Sequence, residues 1–135
     1  MSELTSRDTD KPGSNKSIIG SAAEATALAH LQRHGLTLLV RNYRVARGPS
    51  ARGGEVDLIL RDADGTVVFV EVRARRNARH GGAAASIGMA KRRRLVLAAQ
   101  HYLLRFRSPP PCRFDVVAVE GHTIEWLRAA FDTHE

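Results

Sequence analysis

In GEVDLILRDADGTVVFVEVRAR, residues 54–75, two runs rich in aliphatic and β-branched residues flank Asp62-Ala63-Asp64-Gly65. The pattern predicts a β-hairpin with strands over Glu55–Arg61 and Thr66–Arg75. Period-two alternation sends Glu55, Asp57 and Ile59 to one face and Val56, Leu58 and Leu60 to the other. In the second run Phe69, Glu71, Arg73 and Arg75 share a face opposite Val68, Val70 and Val72. A loop of Ala63, Asp64 and Gly65 puts the glycine where a left-handed backbone is wanted, so that Asp62 faces Thr66. Counting back, Ile59 faces Phe69, Asp57 faces Glu71 and Glu55 faces Arg73. Opposed residues on paired strands have Cβ atoms roughly 4.5–5.5 Å apart, and like charges there destabilise unless neutralised. Three neutralisers are open: a divalent cation, a proton on one carboxyl, or Arg73 and Arg75. Mg²⁺ or Mn²⁺ takes carboxylate, carbonyl and water oxygens, and the backbone carbonyl of Val72 is a natural extra ligand.

Outward from the hairpin, apolar positions Ile18, Ala22, Ala25, Leu28 and Leu31 recur at helical spacing and Gly35 closes the segment, predicting a helix over Ile18–His34. Leu36–Val45 reads as a strand and Arg47–Gly54 as a basic loop. Ser86 can cap a second helix over Ile87–Phe106, which Pro109, Pro110 and Pro111 forbid to continue. Phe114–Val119 and Thr123–Ala129 make a last pair of strands. Met1–Ser17, nearly devoid of apolar residues, reads as a disordered tail, leaving 18–135 as one domain. The order of elements fits an α/β domain with one mixed sheet of about five strands flanked by helices.

The helix stripe that includes Leu28 and Leu31 also carries Glu24. Its carboxylate either points toward the sheet or, as the last residue of Ser21-Ala22-Ala23-Glu24, closes a capping box. Lys91 shares the stripe of Leu95, Ala98 and Tyr102 and either reaches toward the sheet or flanks it in solvent. Asp115, between Phe114 and Val116, reads as a buried hydrogen-bonding residue in preference to an edge of the site. His30 and His34, without an acidic or further histidine partner, read as helix surface. Cys112, the only cysteine, excludes an intramolecular disulfide and reads as a small buried thiol.

With 135 residues, 43% of them hydrophobic and 26% charged, the composition is that of one soluble globular domain rather than a membrane or disordered chain. No signal pattern precedes it, which predicts a cytoplasmic protein. The 21 Lys and Arg against 14 Asp and Glu leave a formal charge of +7. From Val72 to Phe114, 43 residues hold eleven basic side chains and no acidic one. That one-sidedness favours a nucleic-acid partner, DNA above all, over a basic face kept for solubility. Arg75, Arg76, Arg79, Arg92, Arg93 and Arg94 are the candidate phosphate contacts.

Taken together, Gly20–Leu31 with Glu24, Arg41-Asn42-Tyr43-Arg44, Gly54-Glu55-Val56-Asp57-Leu58-Ile59, Val68-Phe69-Val70-Glu71-Val72-Arg73, Lys91 and Arg113-Phe114-Asp115-Val116-Val117 resemble the YraN-like family of small bacterial proteins. The match runs over Ile18–Ala129 in the same order. That family is similar to archaeal Holliday-junction resolvases, so the resemblance implies the restriction-endonuclease-like fold of the PD-(D/E)xK nucleases. It implies Asp57 as the motif aspartate, Glu71 as the acid of the D/E-x-K element and Glu24 as the first-helix acid. The implied function is metal-dependent hydrolysis of phosphodiesters in structured, branched DNA, with Asp57, Glu71, Arg73 and Lys91 catalytic and Glu24, Asp57, Glu71 and Val72 around Mg²⁺ or Mn²⁺. Resolvases act on paired strands as symmetric dimers, which extends the implication to a homodimer. Two positions depart from the motif. Val56 replaces a proline, and Arg73 stands where lysine belongs. A guanidinium stays protonated and cannot help activate water as a desolvated lysine can, so Lys91 becomes the candidate substitute. The alternative that Arg73 raises is a non-catalytic nucleic-acid-binding protein with a nuclease-like fold.

Overall fold

The computed structural model describes residues 14–46, 53–74 and 87–131, with side chains from Gly20 onward. Helix α1 (Ser14–Arg33) leads into strands β1 (Thr37–Val45), β2 (Gly54–Arg61) and β3 (Val67–Ala74). Helix α2 (Met89–Leu103) then returns the chain to β4 (Cys112–Glu120) and β5 (Thr123–Phe131). The five strands lie in the order β1-β2-β3-β4-β5. Every neighbouring pair is antiparallel except β3 and β4, which α2 joins as a parallel crossover. The expected mixed α/β sheet is therefore present.

The two helices cover opposite faces. Ala23, Ala27 and Leu31 of α1 pack on Leu58, Leu60, Val68, Val70, Val117 and Val119. Leu95, Ala98, Ala99 and Tyr102 of α2 pack on Ile59, Val67, Phe69 and Phe114. Burial on both faces explains why β3 reads as an unbroken apolar run from Val67 to Val70. Gly54 lets α2 approach β2 closely, because a Cβ there would meet the Arg94 carbonyl oxygen at 2.6 Å and the Ala98 nitrogen at 2.7 Å.

The turn-derived register holds from Arg61 back to Leu58, and the expected ladder pairs Asp57 with Glu71 and Glu55 with Arg73 lie beyond its end. The Asp62 N–H donates to the Thr66 carbonyl at 2.8 Å, Gly65 adopts φ 93°, and Ile59 pairs with Phe69. The ladder continues to Leu58 and Val70, the last pair of the two strands.

Strict alternation fails one residue further on. Leu58 packs on the α1 side, yet Val56, two residues away, packs on the α2 side. Strand β1 switches at the matching place. Arg41, opposite Leu58, reaches Glu24 of α1, whereas Tyr43, opposite Val56, lies edge-on to Tyr102 of α2. Between them Asn42 takes φ 53°, a left-handed conformation that asparagine tolerates and that breaks the period of two. Asp57 thus stands at the point where β2 changes face.

Three further expectations are corrected. Helix α1 begins at Ser14, directly after Pro12-Gly13, so Ser14–Ser17 are helical and Ser21 is no N-cap. The capping-box reading of Glu24 falls with it. Helix α2 begins at Met89 after Gly88, whose extended backbone caps it without a side-chain bond, while Ile87 is buried against Val116 and Ala118. Ser86 and residues 47–52 lie outside the described residues. Cys112 opens β4 and is exposed rather than buried, since the sheet end after the prolines is uncovered.

Candidate functional site

Glu71 follows the buried run of β3 onto the α2 face, where its side chain is only 4% exposed. A charged group so placed needs partners. Lys91, in the first turn of α2, brings its Nζ to 3.6 Å from Glu71 Oε2, and Arg73 brings Nη1 to 3.5 Å from the same oxygen. Both distances are charge contacts, longer than hydrogen bonds. Glu71 Oε1 is buried and has no hydrogen-bond partner among the described residues. Of the two readings of Lys91, the one that points it toward the sheet holds.

Asp57 approaches from β2. Beyond the last ladder pair, the Val72 N–H would next bond the backbone of β2 at Val56. It donates instead to Asp57 Oδ2 at 2.8 Å. The carboxylate has taken the place of a ladder carbonyl, which fixes it between the strands and beside Glu71. A strand residue carries its N–H and C=O on the same edge, so the Val72 carbonyl also faces the gap between β2 and β3.

The electrostatics of the pair follow. Desolvation first, then the charge of Asp57, raise the Glu71 carboxyl from its ordinary 4.5 to about 7, against the opposing pull of Lys91 and Arg73. Desolvation also raises Asp57, opposed first by the Val72 N–H. The two carboxyls act on one another, the charge of Asp57 opposing ionisation of Glu71.

Glu24 lies at the rim of this arrangement. It sits 3.8 Å from Arg41 Nη2, and Asn42 donates to it. Burial and then the Asp57 charge raise its pKa, so Asp57 acts on both Glu24 and Glu71. The three acids do not close up. Among the described residues, no group of three or more acidic, histidine or cysteine side chains is assembled closely enough to hold a metal ion. What is assembled is two carboxylates and a carbonyl edge, a hard-oxygen set of the kind with which Mg²⁺, keeping several waters, is bound.

The cross-strand pairing of Glu55 with Arg73 does not form. Glu55 is ion-paired with Arg94 of α2, because the ladder has already ended and β2 turns toward the helix. Arg94 is thereby tied down, Arg92 lies 5.2 Å from the Phe131 ring centroid, and Arg93 is exposed. Arg75, Arg76 and Arg79 lie outside the described residues. Arg41 and Asn42 were invisible to the sequence argument as site residues. Their signals were two polar residues at successive positions of a strand and their place in the stretch Arg41–Arg44 that carries the family resemblance.

Asp115 is structural, as read. It is 1% exposed and accepts from Arg113 Nε at 3.0 Å, Trp126 Nε1 at 3.0 Å and the Ala129 N–H at 2.9 Å. Arg113 continues to Asp62 at 3.0 Å, tying the hairpin turn to β4. The His30 and His34 rings lie tilted with centroids 4.4 Å apart, and both stand edge-on to Trp126.

Comparison with known proteins locates the chain. Residues 23–119 match the family described as "Uncharacterised protein family UPF0102". Curated UPF0102 proteins are similar along most of their length. One from Methylibium petroleiphilum is 65% identical over 114 residues, covering 84% of this chain and 93% of the relative. One from Paracidovorax citrulli is 66% identical over 113 residues, covering 84% and 82%. One from Albidiferax ferrireducens is 63% identical over 113 residues, covering 84% and 86%. No described helix is long and apolar enough to cross a membrane.

Proposed function

The chain belongs to the UPF0102, YraN-like family, and on that premise we propose that it is a metal-dependent nuclease that hydrolyses phosphodiesters in structured DNA. The observation that carries this reading is the convergence of Asp57 and Glu71 at the gap between β2 and β3, with the buried Oε1 of Glu71 left without a partner among the described residues. An orphaned buried carboxylate oxygen beside a second carboxylate is an arrangement that a divalent cation satisfies. Asp57, Glu71 and the Val72 carbonyl would hold Mg²⁺ or Mn²⁺. Such an ion, when bound, lowers the pKa of water and neutralises charge on a phosphate.

The remaining roles belong to the side chains. Lys91 and Arg73 flank Glu71 Oε2 and place two positive charges where a phosphate would approach. There they offset the charge that develops on its oxygens. Arg73 is fixed as a cation, so it orients and stabilises. Lys91 is the residue able to give up a proton, and it stands in contact with the same carboxylate as the motif position does. The strongly basic sequence from Arg73 to Arg107 supports phosphate contacts that position a duplex without reading its sequence. Selection of substrate then falls to DNA shape, such as a branch.

A second reading, a nucleic-acid-binding module without catalysis, is favoured by one observation: arginine in place of the motif lysine at position 73. One panel separates the two. Purified protein is incubated with Mg²⁺ or Mn²⁺ and branched, duplex or single-stranded DNA, with Asp57→Asn and Glu71→Gln as controls. Metal-dependent cutting of the branched substrate, lost in both variants, supports the nuclease. Salt-sensitive binding without cutting supports the module. Cutting that survives both substitutions comes from a contaminant.

A further inference from the structure

Helix α2 makes two contacts with the strand ends, one turn apart. Lys91 meets Glu71, and Arg94, three residues on, meets Glu55. Beside the second contact lies a cavity of about 390 Å³, bounded by Arg44, Val45, Ala46, Gly54, Glu55 and Arg94. The volume lies within the range of small-molecule sites. Its lining is chemically mixed: two arginines, one glutamate, and the apolar residues Val45 and Ala46. Arg94 spends a single bond on Glu55, and its Nε is buried without a hydrogen-bond partner among the described residues. Glu55 stands two residues from Asp57 along β2, and its charge acts on the Asp57 carboxyl. Glu55, which lines the cavity, and Arg94 thus link it to the same helix and strand that carry Lys91 and Asp57.

A fully paired duplex has nothing to insert into a recess of this size. An unpaired nucleotide does. Its base can stack on a guanidinium plane, its exocyclic amino group can donate to a carboxylate, and its phosphate can take the remaining guanidinium donors. We propose that this recess receives one unpaired nucleotide of the DNA strand adjoining the acid pair, with the amino edge of the base on Glu55 and Arg44 and Arg94 on its face and phosphate. The proposal rests on the reading of the acid pair as the cleavage centre and names the feature by which that centre selects structured DNA.

The test uses two labelled duplexes of the same sequence, one with a single extra unpaired nucleotide, and fluorescence anisotropy in EDTA at fixed salt. The wild-type chain is expected to bind the interrupted duplex about tenfold more tightly, the scale of one good base contact. Arg44→Ala, at an exposed position, is expected to bring the two Kd values together. Glu55→Gln removes a negative charge, so it is expected to tighten binding to the paired duplex while reducing the preference. Equal affinity of the wild type for both duplexes, no binding to either, or an equal loss on both in Arg44→Ala overturns the proposal. Because EDTA removes the metal, the two readings fail separately. Preference without metal-dependent cutting keeps the recess and removes the nuclease, and cutting without preference does the reverse.

Discussion

Asp57 accepts the Val72 N–H at 2.8 Å at the point where the β2–β3 ladder has ended, so a side-chain carboxylate occupies the place of a backbone carbonyl. That one substitution of acceptor joins fold and site. It holds Asp57 in the gap between the strands, and Glu71, next to Val72, cannot avoid it. The resulting pair is costly when both groups are charged, which is the property the following expectations exploit.

The first concerns pH. In the unfolded chain Glu71 ionises near its ordinary 4.5, whereas in the fold it keeps its proton to about 7. Between those values the native state carries the extra proton, so the contribution of Glu71 to metal-free stability is full below about pH 4.5 and is lost as the pH rises through 7. Urea unfolding in EDTA at a series of pH values is expected to show this decline. Glu71→Gln, neutral throughout, is expected to flatten it and to be the more stable form at pH 8 by about 1–2 kcal/mol. A wild-type profile that rises over the same interval would contradict the account.

Lys91 is expected to matter through its charge and its proton. Lys91→Ala is expected to lower cleavage by about 100-fold, within the range of general acid–base contributions, with native circular dichroism. Lys91→Arg keeps the cation but not the titratable proton, so partial rescue by arginine measures the electrostatic share alone. Full cleavage by Lys91→Ala would remove the residue from the mechanism.

Asp115 is expected to act on stability and not on the site. Asp115→Ala orphans the Trp126 and Ala129 donors and leaves Arg113 with Asp62 alone. Breaking a buried charged network of this kind costs about 3–5 kcal/mol. Denaturant unfolding measures the loss, and Mn²⁺ affinity measured below the melting transition is expected to stay unchanged.

Gly54→Ala tests the seating of α2. A Cβ at 2.6 Å from the Arg94 carbonyl oxygen forces the helix away from β2, at a cost of about 1–3 kcal/mol. The same displacement draws Lys91 off Glu71, so thermal stability and cleavage are expected to fall together, unlike in Asp115→Ala.

Much of this was legible in the chain itself. The hairpin register followed from Asp62-Ala63-Asp64-Gly65, because the left-handed residue of a short loop wants glycine and fixes the pairing. The stripe of Lys91 with Leu95, Ala98 and Tyr102 left both an inward and a solvent-flanking course open, and the buried carboxylate of Glu71 decides for the inward one. What alternation could not show was its own interruption. Asn42 at φ 53° and the matching switch at Asp57 are tertiary accommodations with no sequence period, so Val56 was placed on the wrong face and Glu55 was given Arg73 instead of Arg94. The capping box at Ser21 failed for a local reason. A polar segment after Pro12-Gly13 prolonged α1 by a turn, which left Glu24 in the helix interior, facing Arg41.

Calorimetric titration of Mn²⁺ into the wild-type chain, Asp57→Asn and Glu71→Gln at pH 7.5 reaches the shared-cation claim without any substrate. One Mn²⁺ per chain in the wild type, with binding lost in both variants and protons released on binding, is the expected result. Equal Mn²⁺ affinity in all three proteins would show that the two carboxyls do not hold a cation between them.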